Sequence, residues 1–257
     1  MKNDFIEVKH LKKSFGAQTV LSDISIRFNA GELTAVVGPS GVGKSVLLKL
    51  IIGILAADGG EVAVFGEKLN FNYGDRGLAQ IRKNFGILFQ SAALLDSMTI
   101  FENVAFPIWQ GEFAGRFSKK QIEKKTREIM ASLSLEPYAK ALPQEVSIGI
   151  RKRAGLARAL ISSPKAVFFD EPNTGLDPLV GQEVYDLIKE TKKRWGFLGI
   201  VISHELPEVF QVSDRVVMLF GGKVIADGTP EEFKNSENPA VIQFINGSNK
   251  GPIQINW

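Results

Sequence analysis

The eight residues GPSGVGKS, Gly38 to Ser45, constrain this chain more than any other stretch. They fit the pattern G-x-x-x-x-G-K-[ST], follow the apolar run LTAVV and open into the helical pattern SVLLKLIIGIL. A strand, a glycine loop and a helix in that order form a cradle for phosphate, because glycines let successive backbone N–H groups and the helix N-terminus face one anion. In such a cradle Gly41 and Gly43 remove Cβ obstruction, Lys44 reaches the β and γ phosphates of a nucleotide, and Ser45 ligates Mg²⁺. The nucleotide-binding residues expected from this stretch are Gly38, Pro39, Ser40, Gly41, Val42, Gly43, Lys44, Ser45 and Val46.

The other apolar runs point to an α/β core. Leu33 to Val37, Ala166 to Phe169, Leu198 to Ile202 and Val216 to Leu219 are short, continuous and each followed by a turn and a helix-like segment, as buried parallel strands are. FIEVKHLKKSF near the start and ISIRF at Ile24 to Phe28 instead alternate apolar with polar, which predicts an antiparallel β lobe on the N-terminal side. From Gln90 to Pro164 the strand signal is lost, and Ile122, Ile129 and Leu133 among charged neighbours predict an amphipathic helix from Ser118 to Leu133. The expected organisation is one α/β domain over 1–236, with a helical subdomain inserted at about 91–163, then a C-terminal helix and extended tail over 237–257. In that tail, NGSNKGPIQINW, the alternation of Ile253, Ile255 and Trp257 predicts an extended strand able to reach a neighbouring copy.

Composition narrows the classes. Hydrophobic residues make up 44% and charged residues 23%, as in ordinary globular proteins, and no apolar stretch approaches the roughly 20 residues of a spanning helix. MKNDFIEVKH lacks the apolar core of a signal peptide, so the expected place is the cytoplasm, with membrane association borrowed from a partner. The absence of cysteine excludes disulfides and thiolate metal sites, and a net charge of +3 selects no partner. No heptad run interrupts the chain, which argues against ATPases built around a long coiled coil.

AVFFDEP, Ala166 to Pro172, is an apolar strand that ends in two carboxylates, costly groups there unless they meet a cation or a polarised water. With a phosphate loop upstream, Asp170 suits the Mg²⁺ side and Glu171 the attacking water. His204 ends a further apolar strand, GIVISHE, and would face the crevice at the carboxyl ends of the strands as a γ-phosphate sensor.

GPSGVGKS, Gln90 in ILFQS, VSIGIRKRAGLARAL, FFDEP, NTGLD and ISHE stand in the order and spacing of the ABC ATPases, and the chain resembles that family from Phe5 to Phe233. The resemblance implies an α/β P-loop ATPase with a RecA-like core, an N-terminal antiparallel β lobe and an inserted helical subdomain. It implies ATP and Mg²⁺ as cofactors and a homodimer that closes around two nucleotides. By the same resemblance Phe15 stacks on adenine, and Gln90 touches the metal and links the site to a permease. Asp177 lies at the dimer seam, Glu171 is the catalytic base and His204 the switch histidine, alongside Lys44 in catalysis. Ser147, Ile148 and Gly149 stand at the signature loop that grips the opposite subunit's ATP. There the family reads LSGGQ and this chain VSIGI: Ile148 replaces a glycine, crowding the γ-phosphate, and Ile150 replaces a glutamine.

NFGILFQSAALLDSMTIFENVAFPI and the C-terminal QFINGSNKGPI are similar, more narrowly, to the ATPases of Mce-type transporters, of which the Mla phospholipid system is one. That implies an integral-membrane permease, an MCE lipid-binding protein and, in some systems, a small STAS-domain subunit, with the ATPase on the inner face of the bacterial cytoplasmic membrane and no nucleic acid partner. One rival is a scaffold that binds ATP to dimerise and scarcely hydrolyses it, against which Glu171 and His204 argue. The other is a soluble ABC protein of nucleic acid or ribosomes, which needs a second cassette or a DNA-reading insertion. Within SAALLDSMTIFENVAFPIW, Leu95 and Phe106 belong to an apolar stretch expected to form a groove for a permease helix.

Overall fold

The structure, a computed structural model, describes residues 4–69, 74–110 and 113–254. Two compact units divide the chain, Met1–Leu69 with Ile200–Trp257, and Asn70–Gly199.

In the first unit β1 (Phe5–Phe15) and β2 (Gln18–Asn29) pair antiparallel, with Ile6 opposite Phe28 and Val8 opposite Ile26. Their inward residues Ile6, Val8, Leu11, Leu21, Ile24, Ile26 and Phe28 are buried. Val8 and Leu11 are an odd number apart, so both face inward only because the register slips between them, where His10 takes φ 49°. β4 (Gly59–Val64) lies against the other edge of β1, and a Cβ on Gly60 would stand 2.3 Å from the carbonyl oxygen of His10. β5 (Glu67–Lys68) completes this antiparallel lobe, in which β1 and β2 are the strands that period-two alternation predicts.

The buried strands of the same unit are β3 (Leu33–Val37), β8 (Leu198–Ile202), through which the chain re-enters the unit, and β9 (Arg215–Phe220). β3 runs parallel to β9, with Val37 opposite Met218. β10 (Lys223–Gly228) pairs antiparallel with β9 and parallel with β2, giving the order β5-β4-β1-β2-β10-β9-β3-β8. Helix α1 (Lys44–Ile51) buries Leu47, Leu48, Leu50 and Ile51, and α7 (Leu206–Val212) buries Val209 and Phe210. α8 (Pro230–Lys234) and α9 (Pro239–Ile245) finish the unit, capped by Thr229 and Asn238.

The second unit holds α2 (Gly74–Arg82), β6 (Phe85–Leu88), α3 (Ile100–Trp109), α4 (Lys119–Ser132), α5 (Ile148–Leu160), β7 (Ala166–Asp170) and α6 (Pro178–Trp195). β6 and β7 pair parallel, and between 90 and 164 no strand occurs among the described residues. Thr99-x-x-Glu102 and Ser118-x-x-Gln121 both form reciprocal capping boxes, which fix the starts of α3 and α4. The Thr99 amide and hydroxyl on Glu102 hold its carboxyl below the usual range. α5 packs tightly on β6 because residue 86 is glycine: a Cβ there would lie 2.3 Å from the Ala159 carbonyl oxygen.

The C-terminal segment departs from the extended tail that its alternation predicts. Gly247 turns at φ 59°, and the chain folds back on α9. The amide of Ile253 donates to Oε1 of the buried Gln243 at 2.7 Å, and Nε2 of Gln243 donates to the carbonyls of Ile253 at 2.9 Å and Ser248 at 3.1 Å. One buried amide side chain thus satisfies three backbone groups at once, and Ile253 is buried against its own chain. Residues 247–253 are spent on this turn and cannot serve as reach. Ile255 and Trp257 lie outside the described residues.

Gln243→Ala should leave those three backbone groups unsatisfied, lower urea-unfolding stability by about 1–3 kcal/mol, and expose the Lys250–Gly251 bond to trypsin. Wild-type stability together with wild-type protection of that bond would show that Gln243 does not hold the segment.

Candidate active site

The phosphate loop leaves β3 beside β9, and its shape is set by contacts that only glycine tolerates. Gly38 has φ 142°, and a Cβ there would stand 2.3 Å from the carbonyl oxygen of Leu219. Gly43 has φ 103°, and its Cβ would meet Leu21 Cδ2 at 2.7 Å and Val20 Cγ1 at 2.9 Å. Gly41, at φ 77°, has nothing within 4 Å of an added Cβ and is required only for its backbone angle. Gly43 caps α1, and as a glycine it contributes no side-chain hydrogen bond to the helix N-terminus. Lys44 is buried, its Nζ donating to the carbonyls of Gly38 at 2.8 Å and Pro39 at 2.9 Å. These two bonds hold the ammonium against the backbone of the loop.

In the same unit His204 follows β8, the strand next to β3, with Ser203 buried and its amide on the carbonyl of Val36 at 3.3 Å. His204 itself is exposed. Phe15 ends β1 with 48% of its surface exposed and the Lys13 ammonium 5.4 Å from its ring centroid, an open aromatic face rather than a core residue.

The second unit brings together the rest of the expected set. Leu88 on β6 is opposite Phe169 on β7, so Gln90 and the Asp170–Glu171 pair leave the same end of that parallel pair. Asp170 and Glu171 are half-buried. Glu171 takes φ 47°, a left-handed conformation uncommon for a non-glycine residue, and its Oε2 accepts from the Thr174 hydroxyl at 3.1 Å. The turn that follows is pinned by the buried pair Tyr185 and Asn173, the phenol donating to Asn173 Oδ1 at 3.1 Å. Asp177 caps α6, accepting from the amides of Leu179 and Val180 at 3.1 Å each. Ser147 caps α5 by accepting from the Ile150 amide at 3.4 Å, and Ile148 opens that helix with 39% of its surface exposed. A Cβ on Gly149 would lie 3.4 Å from Val180 Cγ1, so the starts of α5 and α6 are neighbours.

A groove of about 440 Å³ in this unit is lined by Phe85, Phe89, Leu95, Phe106, Pro107 and Phe113, with Arg82, Lys83 and Arg158 among its margins. Both residues singled out for such a groove, Leu95 and Phe106, line it. Its wall is held by the fully buried Asn103, which accepts from the Leu95 amide at 2.7 Å and donates to the carbonyls of Leu95, Met98 and Thr99 at 3.0, 3.0 and 3.1 Å.

Sequence reasoning missed Asn103, Lys152 and Arg158. Lys152 is buried, its Nζ donating to the carbonyl of Gln90, and burial pushes its pKa down to about 8. Arg158 donates to the carbonyls of Ala93 at 2.7 Å and Ala92 at 2.6 Å. Both lie three residues from Gly155 on α5, a spacing that becomes informative only once the turn after β6 is seen to pack there.

The ATP-binding-cassette model described as "ABC transporter" matches residues 21–174. The chain is 36% identical over its whole length to the intermembrane phospholipid transport system ATP-binding protein MlaF of Haemophilus influenzae, covering 96% of that protein. Its fold is similar to that of cbiO1 from Clostridium perfringens, part of an ABC transporter complex, at TM-score 0.82 and 27% identity, covering 94% of each chain. It is similar too to the dimeric post-hydrolysis state of the cassette MJ0796 bound to ADP and Pi, at TM-score 0.76 and 27% identity, covering 88% of this chain and 98% of that one. The strand, glycine loop and helix, the acidic strand end and these likenesses agree: the chain belongs to the ABC transporter family, as an ATP-binding, ATP-hydrolysing subunit of a transporter.

Proposed function

We propose that this chain powers phospholipid transport between bacterial membranes. Two copies close head-to-tail around two MgATP on the inner face of the cytoplasmic membrane, beneath a permease that works with an MCE lipid-binding protein. The observation that carries the phospholipid assignment is the likeness to MlaF, which runs the length of both chains rather than stopping at the shared cassette. Among the described residues no helix is long and apolar enough to cross a membrane. The apolar groove supports the permease contact.

The chemistry assigned to the chain is positioning and charge neutralisation. Lys44 and the loop amides hold the β and γ phosphates, and Phe15 carries adenine. Ser45, Gln90 and Asp170 offer oxygen donors, which suit a hard cation such as Mg²⁺. Among the described residues no three His, Cys, Asp or Glu side chains gather, and Mg²⁺ is commonly held by few protein oxygens together with phosphates and water. Bound there, it would neutralise phosphate charge. Glu171, oriented by the Thr174 hydroxyl, takes the proton of the attacking water. His204 and the second copy's Ser147 and Gly149 meet the charge of the departing phosphoryl group.

Glu171→Gln should keep ATP binding and hold the dimer closed, and should lower hydrolysis by the assembled transporter about 10²-fold. Wild-type turnover in that variant would remove Glu171 from the role of base. Leu95→Asp and Phe106→Asp each place a carboxylate in the groove. Co-purification should lose the permease while ATP binding to the isolated subunit persists, and an intact complex from both variants would move the permease contact elsewhere. Ile148→Gly should raise turnover or tighten ATP-driven dimerisation, since it removes a partly exposed branched side chain from the start of α5. A slower enzyme would mean that the loop depends on isoleucine. Purification of the chain with its membrane subunits, followed by transfer of labelled phospholipid between proteoliposomes, tests the whole assignment; ATP-driven transfer of another solute class and not of phospholipid would overturn it.

A further inference from the structure

The turn after β6 is unusual in its backbone. Ala92 and Ala93 both lie in the left-handed region, at φ 61° and 46°, with no glycine to ease either position. Ala92 is fully buried, and its amide closes the turn on the carbonyl of Phe89 at 2.8 Å. Left alone, two consecutive alanines would relax into right-handed or extended conformations.

Helix α5 supplies what prevents this. Lys152, Gly155 and Arg158 recur every third residue along one ridge of the helix. Lys152 donates to the carbonyl of Gln90, and Arg158 bridges the carbonyls of Ala92 and Ala93 at 2.6 and 2.7 Å. Between the two cations, a Cβ on Gly155 would stand 2.8 Å from Leu88 Cδ1 and 3.0 Å from the Ala92 Cβ, so the absent side chain lets the turn seat directly on the helix. Cations donating to carbonyls make charge-assisted hydrogen bonds, stronger than the neutral contacts of an ordinary turn. Both cations are drawn from solvent, and burial lowers the pKa of each, that of Lys152 to about 8.

We propose that Lys152 and Arg158 are positioning residues that hold the Gln90–Ala93 turn in its working shape and tie it to the helix that Ser147 caps. The proposal rests on the assignment of Gln90 as a metal-contacting residue. It adds that neither cation touches nucleotide: both act through the backbone of the turn. Two features make the tie more than local packing. Phe89 and Ala93 also line the apolar groove, and α5 carries the signature residue Ser147 as its cap. A force on the groove therefore reaches α5 through the three clamped carbonyls, and a shift of α5 reaches Gln90 by the same route.

The chain contains no cysteine, so Ser91→Cys gives a single, exposed attachment point for a spin label inside the turn. In that background Lys152→Met removes the ammonium while keeping an unbranched apolar stem in the buried site. The label should become distinctly more mobile in the assembled transporter, and kcat for ATP should fall about tenfold with KM within about twofold, the signature of a lost arrangement rather than lost binding. Arg158→Gln, at the less buried end of the ridge, should act in the same direction and supplies the reading if Lys152→Met does not accumulate as folded protein. Unchanged label motion and unchanged kcat would overturn the proposal, as would a raised KM with label motion unaltered. Gln90→Ala separates the two levels. If it leaves turnover intact, the metal-contacting role of Gln90 fails; if it abolishes turnover while both cation variants behave as wild type, the clamp alone fails.

Discussion

The carbonyl oxygen of Leu219 stands 2.3 Å from where a Cβ on residue 38 would be, and much of the first unit depends on that closeness. It lets the loop leave β3 while still pressed against β9, which points its backbone back over α1. Gly43 repeats the arrangement at the other end, where Val20 and Leu21 of β2 leave no room for a side chain. The loop is therefore shaped by β2 and β9 on either side as well as by its own residues. Lys44 finishes it from within, its ammonium resting on two loop carbonyls that would otherwise oppose an incoming phosphate. These bonds hold the ammonium against the loop backbone before any ligand arrives.

Elements whose chemistry is local could be read from the sequence. The buried strands Leu33–Val37, Ala166–Asp170 and Leu198–Ile202 follow from continuous apolar runs, and β1 and β2 from alternation. α4 was legible from Ile122, Ile129 and Leu133 among charged neighbours, and the structure adds the Ser118-x-x-Gln121 capping box that fixes its start. The slip in β1 was not legible: Val8 and Leu11 break the period, and only the neighbouring strands decide whether a bulge or a change of face resolves it. The same limit hid Lys152. A lysine on a helix reads as solvated, and only the approach of the turn after β6 reveals that its amine is buried against a carbonyl. The C-terminal segment misled for a related reason. Alternating apolar residues fit a strand, but Gln243 offers one amide group able to bond Ser248 and both polar atoms of the Ile253 backbone, and that local exchange wins over extension.

Several expected site residues also perform ordinary structural work, and the two roles are compatible. Asp177 caps α6, Ser147 caps α5 and Thr174 orients Glu171. A cap fixes the backbone at a helix start and keeps the amides of its first turn aligned, which is also what an anion-gripping loop requires. Such residues look structural when taken singly. Their positions at the starts of α5 and α6, beside one another, give them a shared edge.

That edge also clarifies the departure from LSGGQ. Ile148 is the first residue of α5, a position whose backbone N–H has no partner within the helix whatever side chain it carries. Replacing glycine there leaves the donor count at the helix N-terminus unchanged, as Ser147 and Gly149 leave the hydroxyl and the smallest residue in place. What changes is the surface: Ile148 is 39% exposed, and Leu179 at the start of α6 is 81% exposed. The edge keeps its amides and gains branched apolar bulk. Its demand on a facing surface is therefore for room and for apolar contact, while the N–H groups at the start of α5 belong to backbone that the substitution does not touch.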